Sequence, residues 1–175
     1  MQYSLPVKTI FVLRHGKSDW HQDYGSDHDR PLAERGITAA GLMGRFLTQN
    51  SQVPAKIISS TAVRARKTAE LAIAAGDWDC PAAFTKALYG ASVSGVLDLL
   101  RTADDALPSL MLVGHQPTWS ELVAELTAGN PPHFPTAAMA RIDLEVERWR
   151  DVQPGAGVLR WLVTPKVLKN SGFDS

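Results

Sequence analysis

The sequence predicts an α/β fold: a three-layer α/β/α sandwich on a mainly parallel sheet, with an antiparallel hairpin at one edge. Three observations predict it. Short continuous apolar runs at 9–13, 56–60 and 110–113 alternate with stretches of helical period, as in parallel sheets covered on both faces. Residues 139–146 then alternate with period two, turn at Gly155-Ala156-Gly157 and lead into 158–163, the pattern of an antiparallel pair. Finally, two of the apolar runs end in histidine, as Arg14-His15-Gly16 and as Gly114-His115. Ligands of open α/β sheets gather at that end of the strands.

Each element follows from its own residues. Thr9-Ile10-Phe11-Val12-Leu13 reads as a strand buried on both faces. Residues 18–30 are polar and aromatic without a period, so they are expected to form a loop over the strand end. Leu32, Ile37, Ala40, Gly44 and Leu47 recur at helical spacing and predict a helix over about 32–50. Its glycines Gly36, Gly41 and Gly44 are poor helix formers and point to close packing. The strand at 56–60 feeds an alanine-rich helix running to about residue 75, with Ser59, Ser60 or Thr61 available to cap it and Gly76 to close it. Residues 84–88 are extended. A helix begins at Ser92 or Ser94 with Val96, Leu99 and Leu100 inward, and another spans 118–128. The last ten residues read as a frayed tail from about 166.

The whole chain, 1–175, is expected to be a single domain with a substantial core. Lys+Arg and Asp+Glu both number 18, so no net charge draws the chain to nucleic acid or acidic membranes. The single cysteine, Cys80, forbids an internal disulfide and reads as a small hydrophobe. Residues 1–8 lack the apolar stretch of a signal or membrane segment, so a cytoplasmic location is expected, and a monomer with it.

Burying Arg14 and His15 at a strand end is costly unless something anionic sits there. Gly16 lets the backbone turn and approach a ligand closely. Arg64 falls in the first turn of its helix, where a guanidinium opposes the helix dipole and a bound phosphate would offset it. His21, His28 and His133 show no ligand spacing, so no metal is expected, and no Gly-x-x-x-x-Gly-Lys-Ser/Thr loop is present. No cofactor is called for.

Arg14-His15-Gly16 resembles the signature of the histidine phosphatase superfamily, which includes the phosphoglycerate mutases. Leu13 to Trp20, Asp29-Arg30-Pro31-Leu32, Ser59 to Ala65, Val113 to Pro117 and Trp161 to Lys166 together resemble the SixA-type phosphohistidine phosphatases, in order and over nearly the whole chain. The resemblance implies a phosphoglycerate-mutase-like fold and a metal-independent phosphatase. It assigns nucleophilic attack to His15 and phosphoryl-oxygen contacts to Arg14, Arg64 and His115. Ser18 and Arg30 are further substrate-binding candidates, although Arg30 equally suits a salt bridge with Asp27 or Asp29. Superfamily members that act on phosphate esters carry a leaving-group acid where this chain has Ala87, which favours a phosphohistidine-bearing protein as substrate. Asp19, His21 or Glu121 remain alternative acids. A small-molecule phosphate ester, or a phosphate-binding role without chemistry, remain the alternatives.

Overall fold

The computed structural model describes residues 7–173. Six strands form one sheet in the order β3-β2-β4-β1-β5-β6: β1 Lys8–Arg14, β2 Lys56–Ser60, β3 Ala82–Thr85, β4 Ser109–Gly114, β5 Met139–Leu144 and β6 Gly157–Val163. β3, β2, β4 and β1 run parallel, whereas β5 is antiparallel to both β1 and β6. The expected α/β architecture with an antiparallel edge pair is therefore present. Five helices complete it: α1 Glu34–Gln49, α2 Val63–Gly76, α3 Val93–Arg101, α4 Thr118–Thr127 and α5 Pro165–Asn170.

The three layers come from strand alternation. Successive side chains of a strand point to opposite faces. Ile10 and Val12 of β1 accordingly join Leu110 and Leu112 of β4 in one core, packed under α3 and α4 through Val96, Leu100, Trp119 and Leu122. Phe11 and Leu13 join Met111 and Val113 on the other face, under Leu42, Met43, Ala65 and Ala69 of α1 and α2. Cys80 packs at the edge of this second core, where burial and then Asp79 push its thiol pKa up. That is the environment of a hydrophobe.

Several boundaries differ from the sequence expectation for local reasons. Leu32 forms a bridge with Ser18 instead of opening α1, so the helix starts at Glu34. No side chain caps α2, whose N-cap is Ala62, because Ser60 and Thr61 bond to histidines instead. Asp77, not Gly76, adopts the left-handed conformation that ends α2. Leu97, with Val96 and Leu100, is the buried face of α3, while Leu99 is only partly covered. The frayed tail expected from about 166 is replaced by α5, whose cap is the Thr164 hydroxyl accepting from the Val167 N–H, with Pro165 opening the helix. Leu168, buried against the second core, holds it there, and Phe173 meets Phe46 edge to face. Residues 1–6 and 174–175 lie outside the described residues, and with them most of the segment read above for a signal.

Close helix contact explains Gly44. A Cβ there would collide with the backbone carbonyl of Ala72, so α1 and α2 touch at this point. Gly44→Ala is expected to lower the unfolding free energy by about 1–3 kcal/mol in a urea titration. An open helix site would instead gain roughly 1 kcal/mol from the same change.

Candidate active site

Two strand exits and one helix start build the site. The parallel register places Arg14 opposite Gly114, so the residues that follow, His15 and His115, emerge side by side with ring centroids 5.2 Å apart. The His15 N–H donates to the Gly114 carbonyl at 3.0 Å and carries the ladder one step past the strand. β2, on the far side of β4, feeds α2, whose second residue is Arg64. Arg64 Nε lies 3.4 Å from His15 Nε2. Arg14 is anchored by donating from Nη1 to the Phe134 carbonyl at 2.8 Å. Arg14, His15, Arg64 and His115 line one cavity of about 240 Å³, together with Arg30 and Ser18. All six candidates from the sequence are thus brought together.

The ring of His15 is fixed in one tautomer. Its Nδ1 lies 2.7 Å from the Gly16 carbonyl, which can only accept, so Nδ1 carries the hydrogen and Nε2 the lone pair. Gly16 is itself clamped. Its N–H donates to Thr68 Oγ1 at 2.9 Å, while that hydroxyl donates to the Arg64 carbonyl. A Cβ on Gly16 would meet the backbone of Gly36 at 2.7–3.1 Å, so the turn after β1 needs glycine to pass the start of α1.

Both imidazoles are held neutral. Burial is the main cause for His15, opposed by the Gly16 carbonyl and reinforced by the charges of His115, Arg64 and Arg14; its pKa falls to about 3. His115 falls to about 4 through burial and then the Arg64 charge. His115 Nε2 is 2.9 Å from Ser60 Oγ.

Arg30 stands in the cavity lining and in an ion pair at once. It lines the cavity, donating to Ser18 Oγ at 2.9 Å with its guanidinium 3.6 Å over the Trp20 ring, and it pairs with Asp27. Asp27 is the residue that sequence reasoning undervalued. It sits in a single 3-10 turn, Asp27–Asp29, and binds Arg64 twice, by its backbone carbonyl at 2.6 Å and its carboxylate at 3.0 Å. Tyr89 also donates to it, at 2.9 Å. Partial burial works to raise the Asp27 pKa, but the bonds from Tyr89 and Arg30 and the Arg64 charge outweigh it, and the pKa drops to about 2. The spacing of Asp27 three residues before Arg30 was its only sequence signal. Thr68, four residues after Arg64, left none beyond the habit of helix threonines to bond one turn back. Asp19, His21 and Glu121, the alternative acids, do not line the cavity.

Four buried side-chain polar atoms among the described residues have no partner, and three of them belong to this cavity's lining: Arg14 Nε, Arg30 Nε and His115 Nδ1. Leaving such groups unbonded is costly. A tetrahedral oxyanion brings several acceptors at once, which suits guanidinium forks. Fold and site together define a phosphate-handling α/β protein with a histidine at its centre.

Residues 10–91 match the model of the histidine phosphatase superfamily, branch 1. The chain is 35% identical over 164 residues to an uncharacterized Mycobacterium tuberculosis protein, covering 88% of this chain and all of that one. It is 28% identical to the phosphohistidine phosphatase SixA of Escherichia coli K12, over 91% of this chain and 96% of that protein. Among solved structures, the protein histidine phosphatase SixA complexed with tungstate superimposes with a TM-score of 0.79 at 27% identity, covering 91% and 99% of the two chains. The chain belongs to the histidine phosphatase superfamily. Within it, the chain falls in the SixA-type branch.

The lowered histidine pKa values have a pH consequence. An unfolded histidine takes up its proton near pH 6.5, whereas folded His15 and His115 resist until about 3 and about 4. The unfolded state therefore binds more protons below pH 6.5, and stability is lost as pH is lowered from 6.5 towards the folded values, by up to about 1.4 kcal/mol per unit for each histidine. Two-dimensional NMR titration should show neither ring protonating between pH 5 and 8; a His15 midpoint near 6.5 would contradict the burial described here.

Proposed function

We propose that this protein is a phosphohistidine phosphatase acting on a phosphorylated protein, with His15 as nucleophile. The observation that carries the proposal is the Nδ1 bond of His15 to the Gly16 carbonyl, which leaves the Nε2 lone pair at a cavity lined by guanidinium groups. Nε2 attacks phosphorus and forms a P–N bond while the bond to the substrate nitrogen breaks. Water then attacks the phosphorylated His15, the new P–N bond breaks, and inorganic phosphate leaves. Arg14 and Arg64 neutralise the phosphoryl oxygens, His115 donates to them, and Arg30 with Ser18 extends the cationic wall. Phosphoryl transfer needs chiefly positioning and charge neutralisation, so the reading calls on no metal and no cofactor.

The choice of substrate rests on the leaving group. An alkoxide needs a proton donor, and among the described residues no Asp or Glu lines the cavity. Asp27, the carboxylate paired with the lining residues Arg30 and Arg64, is ionised down to about pH 2, so it has no proton to give. A phosphohistidine protonated on its second nitrogen departs as neutral imidazole and needs none. The SixA proteins to which this chain is similar support the same choice, and the tungstate bound by one of them is, like phosphate, a tetrahedral oxyanion. A cytoplasmic monomer with no nucleic-acid or membrane partner goes with this reading.

Acid-free quenching after incubation with a radiolabelled phosphohistidine peptide should trap label on the wild-type chain and none on His15→Ala. Turnover of that peptide should exceed turnover of sugar phosphates by about 10²-fold or more in kcat/KM; a preference for the esters would overturn the substrate assignment. Arg64→Ala should lower kcat/KM on the peptide by about 10²–10³-fold.

A further inference from the structure

A second, larger depression of about 640 Å³ opens beside the catalytic cavity and shares Lys17 and Thr136 with it. Its walls come from α1, α5 and the loop before β5. They carry Lys17, Arg35, Lys166 and Lys169, and among the described residues no Asp or Glu lines it. None of these four cations forms a salt bridge within the described chain. Elsewhere Arg66, Arg101, Arg148 and Arg160 are each neutralised by a carboxylate. In a chain of zero net charge, this groove is a concentration of uncommitted positive charge next to the nucleophile.

We propose that this groove binds an acidic segment of the protein substrate, placing carboxylates of that segment against Lys17, Arg35, Lys166 and Lys169 while the phosphohistidine enters the adjoining cavity. The inference rests on the protein-substrate reading above and deepens it. The kind of occupant follows from how the charges are built. A single phosphate is held by converging donors, as by buried Arg30 and Arg64 and half-buried Arg14 around His15. The groove's cations are long and spread along its walls; Arg35, Lys166 and Lys169 are exposed, and two sit one turn apart on α5. Point charges dispersed along a channel match carboxylates dispersed along a chain. Ala39, Pro135 and Pro165 supply apolar lining between them, suited to the stems of such a segment. The helix α5 and its Leu168 anchor fix Lys166 and Lys169 in place along one wall.

The test compares two phosphohistidine peptides identical except that one has glutamates and the other glutamines flanking the modified residue. At low ionic strength the wild-type chain should use the glutamate peptide with a kcat/KM about tenfold higher, through KM, as expected of a few exposed ion pairs acting together. Lys166→Gln with Lys169→Gln should reduce that ratio towards one and leave the glutamine peptide unaffected, with thermal unfolding unchanged; 0.5 M salt should act on the wild type in the same direction. Equal use of the two peptides by the wild type, or a ratio that survives the double substitution, would overturn the proposal. So would a double variant that keeps the peptide ratio but loses activity on a sugar bisphosphate, which would give the groove to a second phosphate. Fluorescence anisotropy with the unphosphorylated peptides separates the two readings. Glutamate-selective binding that depends on Lys166 and Lys169, in a chain that hydrolyses neither phosphopeptide, would remove the phosphohistidine assignment and leave the groove standing.

Discussion

The parallel register between β1 and β4 is the constraint on which the site depends. With Arg14 facing Gly114, the chain leaves both strands at the same level and delivers His15 and His115 to one spot. A slip of one residue would send every β1 side chain to the opposite face and exchange the two cores. Trp119 locks the pairing. Its indole N–H donates to the Leu13 carbonyl at 2.9 Å, and its ring fills the space where any Cβ on residue 114 would stand. One buried aromatic of α4 thus ties together the ends of the two central strands, and Gly114 is the residue that admits it.

Charge is the second constraint, and it works against the first. Packing three guanidinium groups and two imidazoles around one cavity accumulates like charge in a poorly solvated place. The fold answers in two ways. Burial keeps the imidazoles neutral, and Asp27 supplies a carboxylate shared by Arg30 and Arg64. Arg14 has no carboxylate partner among the described residues and relies on a backbone carbonyl. The cup remains net positive, and the unpaired Nε atoms of Arg14 and Arg30 show where that excess lies. Asp27 occupies both Nη atoms of Arg64 and so sets its orientation, keeping Nε directed at His15.

How much of this was legible in the sequence depends on whether a feature was local. The apolar runs of β1, β2 and β4 and the period-two pair β5 and β6 are written in consecutive residues, and their types are as expected. The exits Arg14-His15-Gly16 and Gly114-His115 were equally plain, because strand ends advertise themselves by a change from apolar to polar. What escaped was decided by tertiary partners. Ser60 and Thr61 have the chemistry of helix caps, but His115 and His28 claim their hydroxyls. Asp27 lies in a stretch with no period, and only the folded loop brings it to Arg64, 37 residues away in sequence. The helix α5 was missed because six residues carry too little periodicity to be noticed, and its order comes from one leucine finding a core built by α1 and β1.

On the proposed chemistry, nucleophile and leaving group are both imidazole nitrogens, so the first transfer exchanges one P–N bond for another. The environment then has to favour the second step over return. The depressed basicity of His15 makes it a good leaving group whichever nucleophile attacks, so the second step wins when the neutral substrate imidazole departs and water takes its place. The same depression makes Nε2 a weaker attacker, and the surrounding guanidinium groups compensate by drawing charge from the phosphoryl oxygens in both steps. An ester substrate would break this symmetry, because its alkoxide needs a proton donor and among the described residues no carboxylic acid lines the cavity. The low pKa of Asp27 therefore bears on specificity as well as on structure: a carboxylate ionised to bind two arginines is removed from acid catalysis by the bonds that position the site.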